Sequence, residues 1–463
     1  MHTQACSATQ LQLSELILAL STALDMTEGQ PPEHCMRCTW LGMKLADALA
    51  LDDQRRHDLF YTLLLKDAGC SSNAARICEL YLTNDLAFKQ SYKVVDGSLS
   101  SVLNFVLKNT GVKRGFMQKL STTLDIIRNG DMYAQELIET RCTRGADVAR
   151  DLRFSETVAE GIYALDEHYD GGGRPDQLKA DQIPLFSRIA LMTQVIDVFR
   201  TESGVDAALR ELKNRRGTWF DPTLVDTFLQ IAREPQFWQQ LDSPALKKDV
   251  LSMTPADTSI PVDDDYLDDI AAAFGRIVDA KSPFTSGHSE RVAVYASLIA
   301  DELGISEQEK KWLKRGALLH DIGKLGVSND VLDKPGKLDD EEWEHVKRHA
   351  ALSKTILSKI HQFDHLAKFA SAHHEKLDGT GYPEGIKSDD ISLLTRIITT
   401  ADIFDAITAE RPYRGPIPMN KALSIMKEET GTAIDAQCLQ ALMAGLERLP
   451  EHFIVHDDTS ITS

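Results

Sequence analysis

The sequence has no run of about 18 apolar residues, so nothing in it reads as a transmembrane helix. Its start, "MHTQACSATQLQLSELILALSTALD", has no basic region and no signal cleavage site. The expectation is a cytoplasmic protein without a membrane partner. Cysteine is sparse: seven residues, an odd number, without framework spacing. That excludes a disulfide scaffold and fits a reducing compartment. Basic residues are in deficit, 51 Lys and Arg against 70 Asp and Glu, for a net charge of −19. A general face for polymeric nucleic acid is therefore excluded, since phosphate neutralisation needs an excess of cations. A small anionic ligand stays open wherever a pocket gathers metals or a few Lys and Arg. Alternating strand patterns are scarce as well.

What the chain does contain is helical periodicity. "DYLDDIAAAFGRIVDA", "SERVAVYASLIADEL", "EQEKKWLKRGALLHDI", "DEEWEHVKRHAALSKTILSKI" and "TRIITTADIFDAITA" all space their apolar residues for one helix face. Gly and Pro mark the turns, as in "DKPGKLDD" and "LDGTGYPEG". The acidic run "DDDYLDD" reads as a helix start.

The chain also repeats itself. Residues 13–70 align without a gap to 267–324, and 141–197 to 349–405; later "GTWFDPTLVDTFL" matches "GTAIDAQCLQALM". The first copy carries 46 extra residues between the aligned blocks. Two copies are too few for a solenoid. The expected architecture is all-α, two tandem helical bundles: a first domain over 1–241, a polar linker over 242–265 with three Pro and three Ser, a second domain over 266–450 and a tail over 451–463.

The second copy places His288, His320, Asp321, His349, His373, His374 and Asp402 at helix ends and loops. One histidine in a helical core is ordinarily structural. Seven residues of metal-ligating type, five of them missing from the aligned copy, are a different matter. Imidazole and carboxylate together suit iron, manganese, nickel or zinc. His320 and Asp321 are adjacent, so on a helix their side chains diverge by about 100°. One carboxylate can then bridge two metals. A pair of metals roughly 3.5–4 Å apart can clamp a phosphoryl group and activate water for in-line attack.

"HDIGK" at 320–324, followed by "HHEKLDGTGYP" at 373–383, closely resembles the HD-GYP family of the HD phosphohydrolase superfamily. "TSGHSERV" at 285–292 and "ADIFDAITAERPYR" at 401–414 match the flanking motifs of that family, and the resemblance covers roughly 265–450. It implies a bacterial all-α HD-type enzyme that hydrolyses 3′,5′-linked cyclic dinucleotides. Cyclic di-GMP is the usual substrate; some members, including tandem ones, take 3′,3′-cyclic GMP-AMP. Residue by residue, the resemblance implies that His288, His320, Asp321 and Asp402 hold one divalent transition metal, and Asp321, His349, His373 and His374 a second. Iron or manganese is implied, with nickel or zinc as alternatives, and an activated hydroxide attacks phosphorus. His320, Asp321 and Lys324 form the catalytic group, Lys324 touching a phosphate oxygen. Gly381, Tyr382 and Pro383 form a loop beside the substrate. Arg411 and Arg414 are candidate phosphate or base contacts, with helix-end charges as the other reading. Some members hold a third metal through a Glu four residues before the first histidine. Phe284 stands there and cannot ligate, so two metals are expected.

The first copy keeps His34 and Asp67 but has Lys66, Arg141, Leu165, Asp166 and Gln194 at the other ligand positions, and Cys70 in place of Lys324. Charged Lys and Arg cannot ligate. This copy is expected to be non-catalytic. It is either a structural domain that packs on the second copy or builds a homodimer, or a regulatory pocket in which Lys66 and Arg141 put charge where metals once sat. "HCMRC" at 34–38, even with Cys70, lacks a second paired ligand set for zinc. Gly171 to Gly173 lack the Walker pattern of a phosphate loop. A second function class also stays open: an idle signalling adaptor that binds the nucleotide without turnover.

Overall fold

A computed structural model describes residues 12–93, 99–111, 116–255 and 262–448. Among these residues the secondary structure is helical, and the only bridges are isolated ones. No described helix is long and apolar enough to cross a membrane. The tail expected over 451–463 lies outside the described residues.

Fourteen helices carry the repeat. In the first copy they are α1 (Leu13–Thr27), α2 (His34–Ala48), α3 (Asp53–Leu65), α4 (Phe116–Asp151), α5 (Glu156–Tyr163), α6 (Leu185–Ser203) and α7 (Pro222–Ile231). In the second they are α8 (Asp264–Asp279), α9 (His288–Glu302), α10 (Glu307–Leu319), α11 (Asp340–Leu357), α12 (Asp364–Ser371), α13 (Leu393–Thr408) and α14 (Ala436–Leu446). The bounds of α2 and α3 reappear as those of α9 and α10, 254 residues on, and those of α5 as α12, 208 residues on. Equivalent residues start α3 and α10: Asp52 accepts the Arg55 N–H, and Ser306 the Glu309 N–H. Such a cap contributes about 1 kcal/mol. The acidic run begins α8 as expected, with Asp263 accepting the Tyr266 N–H at 2.8 Å. Its residues Leu267, Ile270, Ala271, Phe274 and Val278 are buried at helical spacing. Packing repeats too. α2 lies against α3, α6 and α7, as α9 lies against α10, α13 and α14.

The chain forms two compact units. The first comprises 1–273, 280–283 and 325–333; the second comprises 274–279, 284–324 and 334–463. The first unit thus takes in pieces of the second repeat. Within it, Asp85 accepts from Ser328 Oγ (2.5 Å) and Asn329 N–H (2.9 Å) and faces Lys281 at 3.5 Å. The Tyr266 hydroxyl donates to the Leu152 carbonyl at 2.7 Å. The segment 242–265, expected as a linker, departs from that expectation over its first half. A helix runs from Leu246 to Ser252, and it buries Leu246 and Val250 against α2. Two apolar residues four apart outweighed the polar composition around them. Residues 256–261 of that segment lie outside the described residues.

Candidate metal centre

In the second unit the seven expected residues come from five places. His288 is the first residue of α9, and His320 and Asp321 follow the end of α10. His349 lies in α11, His373 and His374 follow α12, and Asp402 lies in α13. Two glycines make these approaches possible. A Cβ on Gly323 would stand 2.0 Å from the His349 carbonyl oxygen, so the turn after Asp321 reaches α11 only as glycine. A Cβ on Gly381 would stand 2.5 Å from the His374 carbonyl oxygen.

The carboxylate of Asp321 sits between two sets of imidazoles. Its Oδ2 is 3.5 Å from His288 Nε2 and 3.3 Å from His320 Nε2. Its Oδ1 is 3.3 Å from His349 Nε2 and 3.6 Å from His373 Nε2. Asp402 Oδ1 joins the first set, 3.4 Å from His288 Nε2, and His374 joins the second, grouped with Asp321, His349 and His373. Donor atoms sharing one ion with bonds of about 2.0–2.1 Å stand about 3–3.5 Å apart, so these separations fit a metal. Partners elsewhere fix the ring tautomers. Nδ1 of His320, His349 and His373 donates to the carbonyl three residues earlier, at 2.6, 2.6 and 2.7 Å. A carbonyl only accepts, so Nδ1 carries the proton and the Nε2 lone pair faces inward. His288 Nε2, His320 Nε2 and Asp321 Oδ1 are buried without a hydrogen-bond partner. Buried polar atoms are rarely left so, and a cation is the ligand that satisfies all three.

The electrostatics agree. Burial alone would raise the Asp321 carboxyl, but Lys324, His320 and His288 hold it well below the usual carboxylate range. Asp402 is held down in the same way against burial, by His288 and His320. Burial lowers His373 to about 4 and His374 well below the ordinary histidine value, so both rings are neutral ligands.

Asp405 and Arg291 escaped the sequence reading. His288 Nδ1 stands 2.7 Å from Asp405 Oδ2, and Arg291 Nε donates to Asp405 Oδ1 at 2.6 Å. Asp405 therefore orients the first histidine. The signal was there, since the first copy keeps both residues, as Asp197 and Arg37. Lys324 pairs with Asp321. Tyr382 lies beside His374, ring centroids 4.8 Å apart, and Pro383 follows it through a cis peptide. Arg411 Nε donates to the Ala406 carbonyl (3.3 Å) and Arg414 to that of Ile407 (2.8 Å). Both guanidiniums thus close the C-terminal end of α13, which is the helix-end reading.

In the first copy a protein cation fills the equivalent place. Lys66 Nζ lies 3.1 Å from His34 Nε2 and 3.1 Å from Gln194 Oε1, and it pairs with Asp67. Those three residues align with His288, Asp402 and Asp321. At the second position Arg141 pairs with Asp166. No ligand-type atom of His34 or Asp67 is left unpartnered there. His34, Cys38 and Asp197 come close enough to share an ion, but Cys70 is not among them. His34 Nδ1 already meets Asp197 at 2.8 Å, and burial holds the Cys35, Cys38 and Cys70 thiols protonated.

The HD domain family matches residues 121–224 and 273–438, a stretch of each copy. A 3′3′-cGAMP-specific phosphodiesterase of Vibrio cholerae is 60% identical over 95% of this chain and 96% of its own length. The chain belongs to the HD-GYP family of HD phosphohydrolases. A crystal structure of a cyclic GMP-AMP-specific phosphodiesterase of V. cholerae matches 96% of this chain and 99% of its own, at 54% identity and a TM-score of 0.66. A cyclic di-GMP phosphodiesterase response regulator of Xanthomonas campestris is 37% identical over 38% of this chain and 47% of its own length. HD domains are metal-dependent, and in this HD-GYP chain the residue groups able to hold ions gather chiefly around Asp321.

Proposed function

We propose that this chain is a metal-dependent phosphodiesterase that opens a 3′,3′-linked cyclic dinucleotide to the linear 5′-phosphorylated dinucleotide. The observation that carries the reading is Asp321, with one oxygen toward His288 and His320 and the other toward His349 and His373. That arrangement supports two divalent ions, iron or manganese before nickel or zinc, with Phe284 at the position a third would need filled by Glu. The chemistry a bound metal pair supplies is activation of water and neutralisation of phosphate charge.

The chain's own residues do the rest. The backbone carbonyls behind His320, His349 and His373 keep each Nε2 lone pair turned inward. Asp405 holds His288 in place. Lys324, partly open to solvent, reaches the rim from Asp321, where its ammonium can meet a phosphate oxygen. Tyr382, Gly381 and Pro383 form the wall beside His374. The name of the 60% identical relative favours 3′,3′-cyclic GMP-AMP over cyclic di-GMP. The adaptor reading has no comparable support, since orphaned ligand atoms serve no purpose in an idle binder.

The test is product chromatography with 3′,3′-cyclic GMP-AMP and cyclic di-GMP side by side, manganese or iron added. Linear dinucleotide is expected. The paired changes His320→Ala and Asp321→Ala should abolish turnover, and an unchanged rate would overturn the proposal.

A further inference from the structure

The first unit contains a cavity of about 590 Å³, a size typical of small-ligand sites. It opens over the vestigial centre. Cys70, Arg141, Asp166, Arg174 and Gln194 line it, and they align with Lys324, His349, His374, Tyr382 and Asp402 of the second copy. Two kinds of group line it. Tyr81, Phe88 and Tyr92 are aromatic, with the Tyr81 and Phe88 rings 4.2 Å apart, Phe88 anchored in a buried apolar cluster and Tyr92 half exposed. The others are cations. Lys89 and Lys93 share a single carboxylate, Glu28, at 3.4 and 2.7 Å. Lys89 also donates to the carbonyls of Thr27 (2.9 Å) and Cys70 (2.8 Å). Lys93 Nζ is buried and has no hydrogen-bond partner beyond that ion pair. Locally two ammoniums face one carboxylate and Lys93 keeps N–H donors unused, while elsewhere in the lining Arg141 pairs with Asp166 and Asp170 adds a carboxylate. Arg174, at the position of Tyr382, contacts Gln135 (3.0 Å) and the exposed carboxylate of Asp131. Lys66 contributes nothing here, since it is fully buried and neutralised beneath the cavity.

We propose that this cavity is a nucleotide-binding site, with a phosphate at Lys93 and Arg174 and a base against Tyr81, Phe88 and Tyr92. Spare ammonium donors recognise a phosphate, and an aromatic wall recognises a planar base at about 1–3 kcal/mol per stacked base. A nucleotide is the ligand class that carries both in a volume of this size. The site is non-catalytic, because its metal positions hold Lys66 and Arg141.

The test is calorimetry on the full-length chain carrying Asp321→Ala, titrated with GMP, AMP, 3′,3′-cyclic GMP-AMP and inorganic phosphate. At least one nucleotide should bind, and more tightly than inorganic phosphate. Lys93→Met and Arg174→Met should each weaken that binding at least tenfold, and Tyr92→Ala several-fold, with melting curves checking that each variant folds. In chains with Asp321 intact, Arg174→Met and Tyr92→Ala should leave cyclic dinucleotide turnover at saturating substrate within twofold. Nucleotide binding that survives both Arg174→Met and Tyr92→Ala would place the ligand elsewhere. The absence of binding by any nucleotide, or binding no tighter than inorganic phosphate, would overturn the proposal.

Discussion

His34 and His288 begin equivalent helices, and each rests its Nδ1 on an aspartate that an arginine holds in turn. The distances barely differ: 2.8 Å to Asp197 and 2.7 Å to Asp405. Their Nε2 atoms face opposite circumstances. His34 Nε2 meets the Lys66 ammonium, whereas His288 Nε2 is buried with no hydrogen-bond partner. The same frame therefore carries a built-in cation in one copy and a set of unfilled ligands in the other. The contrast separates residues that hold the frame from residues that do chemistry. Glu167 and Glu375 both tie the following loop by accepting backbone N–H groups, and Gly173 and Gly381 both permit its close approach. Those residues belong to the frame, while the His-to-Lys and His-to-Arg exchanges belong to the chemistry.

The largest effect should come from the two aligned aspartates. Asp321→Asn should reduce cyclic dinucleotide turnover to background, while Asp67→Asn leaves it within twofold; equal losses would break the comparison. Next is Lys66→Met. Removing the ammonium leaves Asp67 as an unpaired buried charge, at a cost of about 3–5 kcal/mol. Hydrogen exchange in peptides from α2 and α3 should report it, and more strongly than Lys324→Met does in α9 and α10, since Asp321 keeps His288 and His320 beside it.

A smaller effect is expected one shell out. Asp405→Asn should weaken metal binding about 10- to 100-fold by loosening His288, and Asp197→Asn should not touch turnover. A pH effect separates the two copies as well. Burial first, then Lys66, lowers His34 to about 4 from its ordinary 6.5. A depressed folded value means stability that is present above pH 6.5 and lost as the pH falls through about 4. The contribution is on the order of 3 kcal/mol. Protection of α2 should therefore fall across that window, and less steeply in His34→Gln.

The repeat and the seven ligand-type residues were legible because both depend on residue identity at fixed offsets. Asp405 and Arg291 were not, since an Asp and an Arg in amphipathic helices look like solvated charge. Only the first copy, which keeps both although five of the seven ligand positions around them are exchanged, marks them as parts of the frame. The helix Leu246–Ser252 hid within a polar segment because two apolar side chains suffice to dock it. Lys89 and Lys93 lie in the segment that has no counterpart in the second copy, so no alignment could point to them. The misplaced expectation for Lys66 had a physical cause as well: sequence reveals a charge but not the carboxylate that neutralises it.

The central claim is that one frame holds metals in the second copy and an ammonium in the first. Metal content per chain, measured on protein purified without added metal, tests it most directly. Two ions per chain are predicted, falling to none in a variant combining Asp321→Ala and His373→Ala and unchanged in Asp67→Asn. A content near three or four, or two ions persisting after the changes at Asp321 and His373, would contradict it.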